Sequence, residues 1–112
     1  MNVISVKLAE SIEPNTFVTI GQTGVLKASG ADIIGVLSNE GCYDTKTNKL
    51  EAESIGNIFV LGVQRVKTNE ASLIQSGDYV IAGTEGYAIK SGTATGFKVM
   101  RVSGNYVDVL LR

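Results

Sequence analysis

Two glycine-rich segments have the residue types and spacing that come nearest to a ligand-binding motif in this sequence. Gly77–Gly92 reads GDYVIAGTEGYAIKSG, and Pro14–Gly30 reads PNTFVTIGQTGVLKASG, with matching residues 62 positions earlier. Such loops hold phosphate groups when a helix begins directly behind the glycines. Here β-rich sequence follows each copy instead, so the pattern predicts two similar hairpins with G-x-x-G turns.

Catalytic groups are scarce in the rest of the chain. Catalysis needs a base, a nucleophile and a group that stabilises charge. The sequence has no histidine, and its single cysteine, Cys42, lies in a polar stretch. Asp78 follows a glycine and is expected to cap a turn, while Glu51 and Glu53 are expected to lie on a solvated face. We therefore expect a protein that is not an enzyme and that uses no cofactor.

Metal, nucleotide and nucleic-acid sites also lack their usual signatures. The sequence offers no Cys–Cys or Cys–His spacing and no calcium-loop spacing. Gly92–Lys98 comes nearest to a nucleotide loop and has the wrong spacing. Ten basic and eleven acidic residues leave a net charge of −1 without a basic run. We expect neither nucleic acid nor a membrane as a partner, since a long apolar stretch and a secretory signal are also missing.

Composition predicts one small domain made of strands. The chain has 112 residues, of which 44% are hydrophobic, with 13 glycines and one proline. These values are typical of short strands joined by tight turns. Met1–Arg112 is therefore expected to form a single β domain. Within it, Met1–Leu8 is expected as an N-terminal arm or edge strand. Ser38–Ser54 is expected as a polar surface loop in which Leu50–Ala52 can form a short strand.

Alternating apolar residues indicate the individual strands. They predict an all-β fold, a small barrel or β-tulip-like sandwich of about seven to nine short strands with little helix. Asn57–Lys67 is the longest candidate and is expected to be central, with Gly62 marking a bulge. The other predicted strands are Asn2–Leu8, the two strands of each hairpin (Phe17–Ala28 and Tyr79–Lys90), Ile33–Leu37, Phe97–Val102 and Tyr106–Leu111.

Four short motifs carry a resemblance to a known family. They are Ile34-Gly35-Val36 after the first hairpin, Leu61-Gly62-Val63, Gly77-Asp78-Tyr79-Val80 and the closing run Val107–Arg112. In these motifs the chain resembles the small β-rich capsid decoration, or cement, proteins of tailed bacteriophages. The polar insertion at Ser38–Ser54 departs from the more compact pattern of that family.

The resemblance implies a structural role in the virion. A protein of this kind is a trimer that lies at or near local threefold axes on the outer surface of the phage head. It binds neighbouring major capsid subunits and stabilises the shell against the pressure of packaged DNA. The implied location is the outer capsid surface of the virion, and the host cytoplasm during assembly.

Two segments are expected to contact the partner. Val3, Ile4 and Val6 offer backbone groups and β-branched side chains for strand addition to an edge on the capsid or on a neighbouring protomer. An ordinary first strand of the domain is the alternative. Cys42 and Tyr43 are apolar residues within a polar loop, and they either anchor that loop on the domain or form a second partner contact.

Two other classes of function remain open from the sequence. One is a module of a phage tail fibre or spike that binds host glycans through exposed aromatic residues such as Tyr43, Tyr87 and Tyr106. The other is a small β-barrel interaction domain that binds a peptide. Glycan binding by the isolated chain, without affinity for capsids, would favour the first of these.

Overall fold

The fold is built from strands alone in the part of the chain that is described. The structure is a computed structural model that describes residues 3–38, 49–93 and 95–111, together with the backbone of residues 43 and 44. These residues contain twelve β-strands and no helix. The strands form two five-stranded antiparallel sheets and one two-stranded sheet. The predicted all-β class is confirmed, with more strands than the sequence indicated.

The first sheet comes from the first half of the chain, Val3–Phe59. In chain order the strands of this half are β1 (Val3–Lys7), β2 (Phe17–Ile20), β3 (Val25–Lys27), β4 (Gly35–Leu37), β5 (Tyr43–Asp44), β6 (Lys49–Leu50) and β7 (Ile55–Phe59). In space the order of the five main strands is β1-β7-β4-β2-β3. The other two, β5 and β6, form a small two-stranded sheet in the connection between β4 and β7.

The second sheet comes from the second half of the chain, Gly62–Leu111. In chain order its strands are β8 (Gly62–Lys67), β9 (Tyr79–Ala82), β10 (Ala88–Lys90), β11 (Phe97–Ser103) and β12 (Tyr106–Leu111). In space the order is β8-β12-β11-β9-β10, and a tight turn joins β11 to β12.

The two sheets have equivalent strand orders, so the duplication extends beyond the hairpins to the whole chain. The first strand of each half is an edge strand paired with the last, and the hairpin lies at the other edge. Backbone hydrogen bonds and φ angles at equivalent positions of the two halves also match. The N–H of Asn15 donates to the carbonyl oxygen of Leu37, and 62 residues later that of Gly77 donates to Val99, both at 2.8 Å. Asn15 and Gly77 also both have positive φ angles, of 60° and 94°.

The segment Asn57–Lys67 differs from its prediction as one central strand. The chain leaves the first sheet after Phe59 and enters the second at Gly62, so the segment holds parts of two strands in different sheets. Gly62 has a φ of 88°, a conformation that L-residues rarely adopt. The expected bulge is therefore the joint between the two halves, and the prediction of one central strand was wrong.

One core belongs to the first half alone. Ile12 and Leu50 close it on one side, where the backbone N–H of each donates to the carbonyl oxygen of the other, at 3.0 and 2.7 Å. Since Leu50 lies in β6, the segment Ser38–Ser54 is not only a surface loop but also contributes a fully buried side chain. The buried members of this first core are Leu8, Ile12, Val18, Val25, Leu37, Leu50 and Ile58.

A second, shared core lies between the two sheets. The first half contributes three buried residues to it, Phe17, Ala28 and Val36. Because side chains alternate along a strand, Phe17 and Val36 face this core while their neighbours Val18 and Leu37 face the first one. The members from the second half are Val66, Ile74, Val80, Ala82, Ala88, Val99, Val107, Val109 and Leu111.

Candidate binding surface

A row of apolar side chains across the first sheet forms its contact with the second half. The strand pairing aligns Val3, Phe59, Val36 and Phe17 across four strands. Phe17 and Val36 are buried in the shared core, and Phe59 packs against it. The ring of Phe17 stacks on that of Phe97 in the second half, with 5.7 Å between their centroids.

The equivalent row of the second sheet is open to solvent. The same pairing aligns Val63, Leu110, Lys98 and Tyr79 on the side of the sheet away from the shared core. Val63 is 53% exposed, Lys98 is exposed, and Leu110 and Tyr79 are half-buried. A depression of about 320 Å³ lies along this row, where Phe97 also contributes to the wall. We call this side of the second sheet the outer face.

Two arginines share one carboxylate at the middle of the outer face. Asp108 is only 8% exposed. The Nε of Arg65 donates to its Oδ1 at 3.0 Å, and the Nη2 of Arg101 donates to its Oδ2 at 2.8 Å. Hydrogen bonding from Arg65, followed by that from Arg101, holds the pKa of Asp108 below its ordinary value against the opposite effect of burial. The guanidinium of Arg65 also lies over the ring of Tyr106, at 5.6 Å from its centroid.

The outer face carries excess positive charge. Arg65, Lys67, Lys98 and Arg101 are positive residues on this side of the sheet, and Asp108 is a negative one. Since Glu13 neutralises Lys67, the remaining charges sum to +2. The whole chain has a net charge of −1, so the rest of the molecule is negative. Met100 lies beside Arg101 at a bulge in β11 and is 49% exposed. The face therefore combines cations with exposed apolar groups, a composition that suits protein contact.

A second polar group joins the two halves at the side of the molecule. Glu13 accepts hydrogen bonds through Oε2 from the Lys67 ammonium at 3.0 Å and from the Tyr87 hydroxyl at 2.7 Å. Burial alone would raise the pKa of Glu13, but these hydrogen bonds and the charge of Lys67 bring it below its ordinary value. The hydrogen bond to Glu13, together with burial, raises the pKa of Tyr87 to about 12. This group stabilises the contact between the halves.

Two of the tyrosines considered for glycan binding lie at one shallow pocket. Tyr87 and Tyr106 line it together with the amides of Asn69 and Asn105, and its volume is about 190 Å³. Tyr43 belongs to β5 by its backbone, and its side chain lies outside the described residues. The structure thus brings two of the three tyrosines together.

The residues predicted to contact a partner lie in two places. Val3, Ile4 and Val6 belong to β1, an edge strand of the first sheet, and Ile4 and Val6 pack against the first core. Cys42 lies outside the described residues. The backbone of Tyr43 pairs with Leu50 in the small sheet. Val3, Ile4 and Val6 therefore do not lie on the outer face.

Sequence reasoning missed the group formed by Arg65, Arg101 and Asp108. One signal was present, since Asp108 alternates with Tyr106 and Leu110 on one side of a predicted strand. A lone carboxylate at such a position needs a partner when it is buried. The two arginines come from β8 and β11, however, and only the register of three strands brings them to Asp108.

Asp78 has the structural role that the sequence predicted. Its Oδ2 accepts a hydrogen bond from the backbone N–H of Gln75 at 2.9 Å, which caps the turn before β9.

Within residues 3–38, 49–93 and 95–111, no cluster of three or more His, Cys, Asp or Glu side chains could hold a metal ion. The same part of the chain contains no helix long and apolar enough to cross a membrane.

Sequence comparison places the chain in a family. It is 34% identical, over an alignment of 121 positions, to the uncharacterized protein MJ0336 of Methanocaldococcus jannaschii, and the alignment covers 99% of this chain and 97% of that protein. The chain belongs to the same family as MJ0336. No model of a known family matches the sequence. The relationship extends over both halves, so the duplicated architecture is expected throughout this family.

Two solved structures share the fold, and both are proteins of bacteriophage phi29. One is the C-terminal fragment of gene product 12, with a TM-score of 0.72 and 15% identity over 100% of both chains. The other is the N base of head fiber gp8.5, with a TM-score of 0.67 and 14% identity over 98% of this chain and 92% of that one. At these identities the likeness concerns the fold.

Proposed function

We propose that this protein is a structural component of a tailed-phage virion. It binds the major capsid protein on the outer surface of the head as a trimer at local threefold axes, and it stabilises the shell. The observation that carries the proposal is the shared fold with the N base of a phi29 head fiber, which extends over 98% of this chain. The gene product 12 fragment of the same phage adds support, because its fold matches over the whole chain.

The surface chemistry is consistent with a protein partner. The depressions beside the tyrosines and along the outer face are partly open to solvent and about half polar, whereas small-molecule sites are usually enclosed and mostly apolar. Arginine, tyrosine and methionine are enriched in protein interfaces, and the outer face exposes Arg65, Arg101, Tyr79 and Met100. A trimer that touches several capsid subunits gains affinity from effective concentration, so each contact can be weak.

The free edge of β1 is the proposed site of contact with the capsid. Among the described residues, Val3–Lys7 pairs with β7 alone, and β3 approaches only beyond the end of β1, where Leu8 bridges to Val25. The backbone groups on the other side of β1 are therefore the proposed site of strand addition. Ile4 and Val6 are needed for the first core. Met1–Val3 is therefore the part that can be removed with the least damage to the fold.

The test is to mix the purified protein with undecorated heads assembled from the major capsid protein encoded in the same genome, and to image them by cryo-electron microscopy. We expect density at the local threefold axes, and lower occupancy after deletion of Met1–Val3. Bare shells at saturating protein concentration would refute the proposal. Binding of the isolated chain to host glycans, with the shells still bare, would favour the tail-fibre alternative.

A further inference from the structure

We propose that the outer face of the second sheet binds an acidic segment of another protein in extended conformation. A carboxylate of that segment lies at the two arginines, and an apolar side chain lies in the neighbouring depression. The inference goes beyond the proposed function, because capsid contact through the edge of β1 does not involve this face. It is carried by a group of charges that is not balanced and by the spacing between that group and the apolar row.

The charged group at the middle of the outer face has two cations and one anion. Arg65 and Arg101 share the carboxylate of Asp108, and each uses its Nε and Nη2 atoms at distances from 2.8 to 3.5 Å. The hydrogen bonds within the described chain do not use the Nη1 atom of either arginine. The two side chains are 45% and 68% exposed, so a partner can reach them. A second carboxylate would balance the group through charge-assisted hydrogen bonds.

The charges around this group do not supply the second carboxylate. Lys67, on the same side of the sheet, is paired with Glu13 at 3.0 Å. Lys98 is exposed, and none of the ion pairs within the described residues includes it. The remaining charges of the outer face therefore sum to +2, whereas the whole chain has a net charge of −1. Such a face attracts an acidic partner and repels a second copy of itself.

An apolar site lies next to the charged group. The solvent side of an antiparallel sheet is normally polar, yet Val63 is 53% exposed here. Leu110 lies between Val63 and Lys98 in the strand pairing, and the depression along this row is lined by Leu110 together with Tyr79 and Phe97. An apolar side chain that enters the depression loses its contact with water, which favours binding.

The spacing of the two sites matches an extended chain. Asp108 and Leu110 lie on the same side of β12, two residues apart. This separation is about 7 Å along a strand. Side chains i and i+2 of an extended partner segment are equally far apart and also point to one side. A segment that lies along β12 therefore meets both sites when one residue separates its carboxylate from its apolar side chain.

Phosphate-rich partners suit the outer face less well. Nucleic acids and anionic membranes are bound through many basic groups, and their affinity grows with the number of phosphates that are neutralised. The outer face has a net charge of only +2 and also exposes Val63 and Met100. One carboxylate beside one apolar side chain uses both the charge and the apolar groups, so a protein segment is the better complement.

The experiment is an NMR titration of the full ¹⁵N-labelled chain with a capped synthetic peptide, Gly-Ser-Asp-Thr-Leu-Ser-Gly. We expect a dissociation constant on the order of 1 mM, with the changes in amide chemical shift concentrated in β8, β11 and β12. Two further peptides test the two sites, one with Asn in place of Asp and one with Ser in place of Leu. Each is expected to bind at least about threefold more weakly, because each loses one of the two contacts.

A pair of protein variants tests the role of the arginines. Arg101→Gln is expected to weaken binding of the acidic peptide by about fivefold and to reduce its advantage over the Asn peptide. Lys90→Gln is the matched control, because it makes the same change in charge at a lysine that is 50% exposed. Lys90 alternates with Ile89 and shares the side of β10 that carries the buried Ala88, away from the outer face. It should leave both affinities unchanged. Thermal unfolding shows whether each variant is folded.

Several results would overturn the inference. They are equal affinity for the acidic and Asn peptides, shift changes outside the outer face, equal effects of Arg101→Gln and Lys90→Gln, and no response at about 10 mM peptide. Outer-face shifts that follow protein concentration, without a response to the peptide, would assign the face to a second copy. Binding of phosphatidylglycerol vesicles in place of the peptide would assign it to a lipid surface. Head binding is measured without peptide, so it tests the proposed function separately.

Discussion

Asp108 shows how one side chain determines the character of a surface. The equivalent position of the first half holds Asn57, which accepts a hydrogen bond from the hydroxyl of Ser5 at 2.7 Å. In the second half the same pair of strands brings Arg65 to Asp108, and β11 adds Arg101. A neutral pair is thus replaced by a group with a net positive charge. Because Asp108 fixes both guanidinium groups, their positions on the outer face are defined before any partner binds.

Replacing Asp108 by Asn should destabilise the protein in a pH-dependent way. The change removes charge-assisted hydrogen bonds from two arginines, and we expect the free energy of unfolding to fall by about 2 kcal/mol at neutral pH. The pKa of Asp108 is lower in the folded protein than in the unfolded chain. Its contribution is therefore present above the ordinary carboxyl range and is lost as the pH falls through the folded pKa.

Urea unfolding of the wild type and of Asp108→Asn at a series of pH values measures this effect. The difference between the two proteins should shrink as the pH falls below about 4. Asp32→Asn serves as the control, since Asp32 is exposed, and its stability should equal that of the wild type at neutral pH. A difference for Asp108→Asn that stays constant down to acidic pH would contradict this account.

At the scale of strands and turns, local sequence patterns were sufficient for much of the fold. Both hairpins and the last two strands lie where alternation and turn residues predicted them, because these signals act between neighbours in the chain. The joint at Gly62 could not be predicted this way. The apolar residues on both faces of Asn57–Lys67 continue from Ile58 past Gly62 to Val63, and only tertiary packing decides that Phe59 ends one sheet and Gly62 begins the next. The group formed by Arg65, Arg101 and Asp108 on the outer face also could not be predicted, because it depends on the register of three strands.

The G-x-x-G turns use their two glycines differently. In each turn only the second glycine has a positive φ, 139° at Gly24 and 79° at Gly86. The backbone N–H of Phe17 donates to the carbonyl oxygen of Gly86 at 2.8 Å, so the turn of the second hairpin touches the first half. A Cβ atom on Gly86 would lie 2.6 Å from the carbonyl oxygen of Phe17. Gly86 thus serves both its turn and the contact between the halves, whereas a Cβ atom on Gly24 would meet the carbonyl oxygen of Lys7 in its own half.

Gly86→Ala is therefore expected to lower the free energy of unfolding by about 2 kcal/mol or more. The unfavourable φ angle accounts for roughly 1–2 kcal/mol, and the clash with the Phe17 carbonyl adds to it. Gly92→Ala is the matched control, because a Cβ atom there meets nothing within 4 Å and its φ angle is not positive. Its effect should stay within about 0.5 kcal/mol. Equal effects of the two substitutions in chemical denaturation would refute the assigned role of Gly86.

At the scale of the whole molecule, duplication produced two halves with different surroundings. The first half has β6 over one side of its sheet and the second half over the other side. Among the described residues, the second half has the first half over one side only. Its sheet therefore keeps one side free, although the strand order of the two halves is equivalent. The repeated hairpins in the sequence predicted the duplication, but not which copy would be covered.

Equivalent aromatic residues should thus differ in their contribution to stability. Phe17 is fully buried, and Phe17→Ala is expected to lower the free energy of unfolding by about 3–5 kcal/mol. Tyr79 lies on the outer face, and Tyr79→Ala should cost about 1 kcal/mol or less in the dissociated protein. Phe17→Leu provides a milder variant in case the alanine variant does not fold. Chemical denaturation at low protein concentration makes the comparison, and similar losses at both positions would contradict the unequal coverage of the two rows.

The separation of the two cores has a consequence for biosynthesis. All residues of the first core, including Leu50 and the half-buried Val60 beside it, precede the second half in the chain. This core can close while the second half is still being translated, as N-terminal units generally fold first during synthesis. The first half contributes Phe17, Ala28 and Val36 to the shared core. Once the first sheet has formed, these side chains are exposed on one side of it until the second half covers them. The first half is thus synthesised before the second, and β8–β12 can fold by packing against a sheet that has already formed.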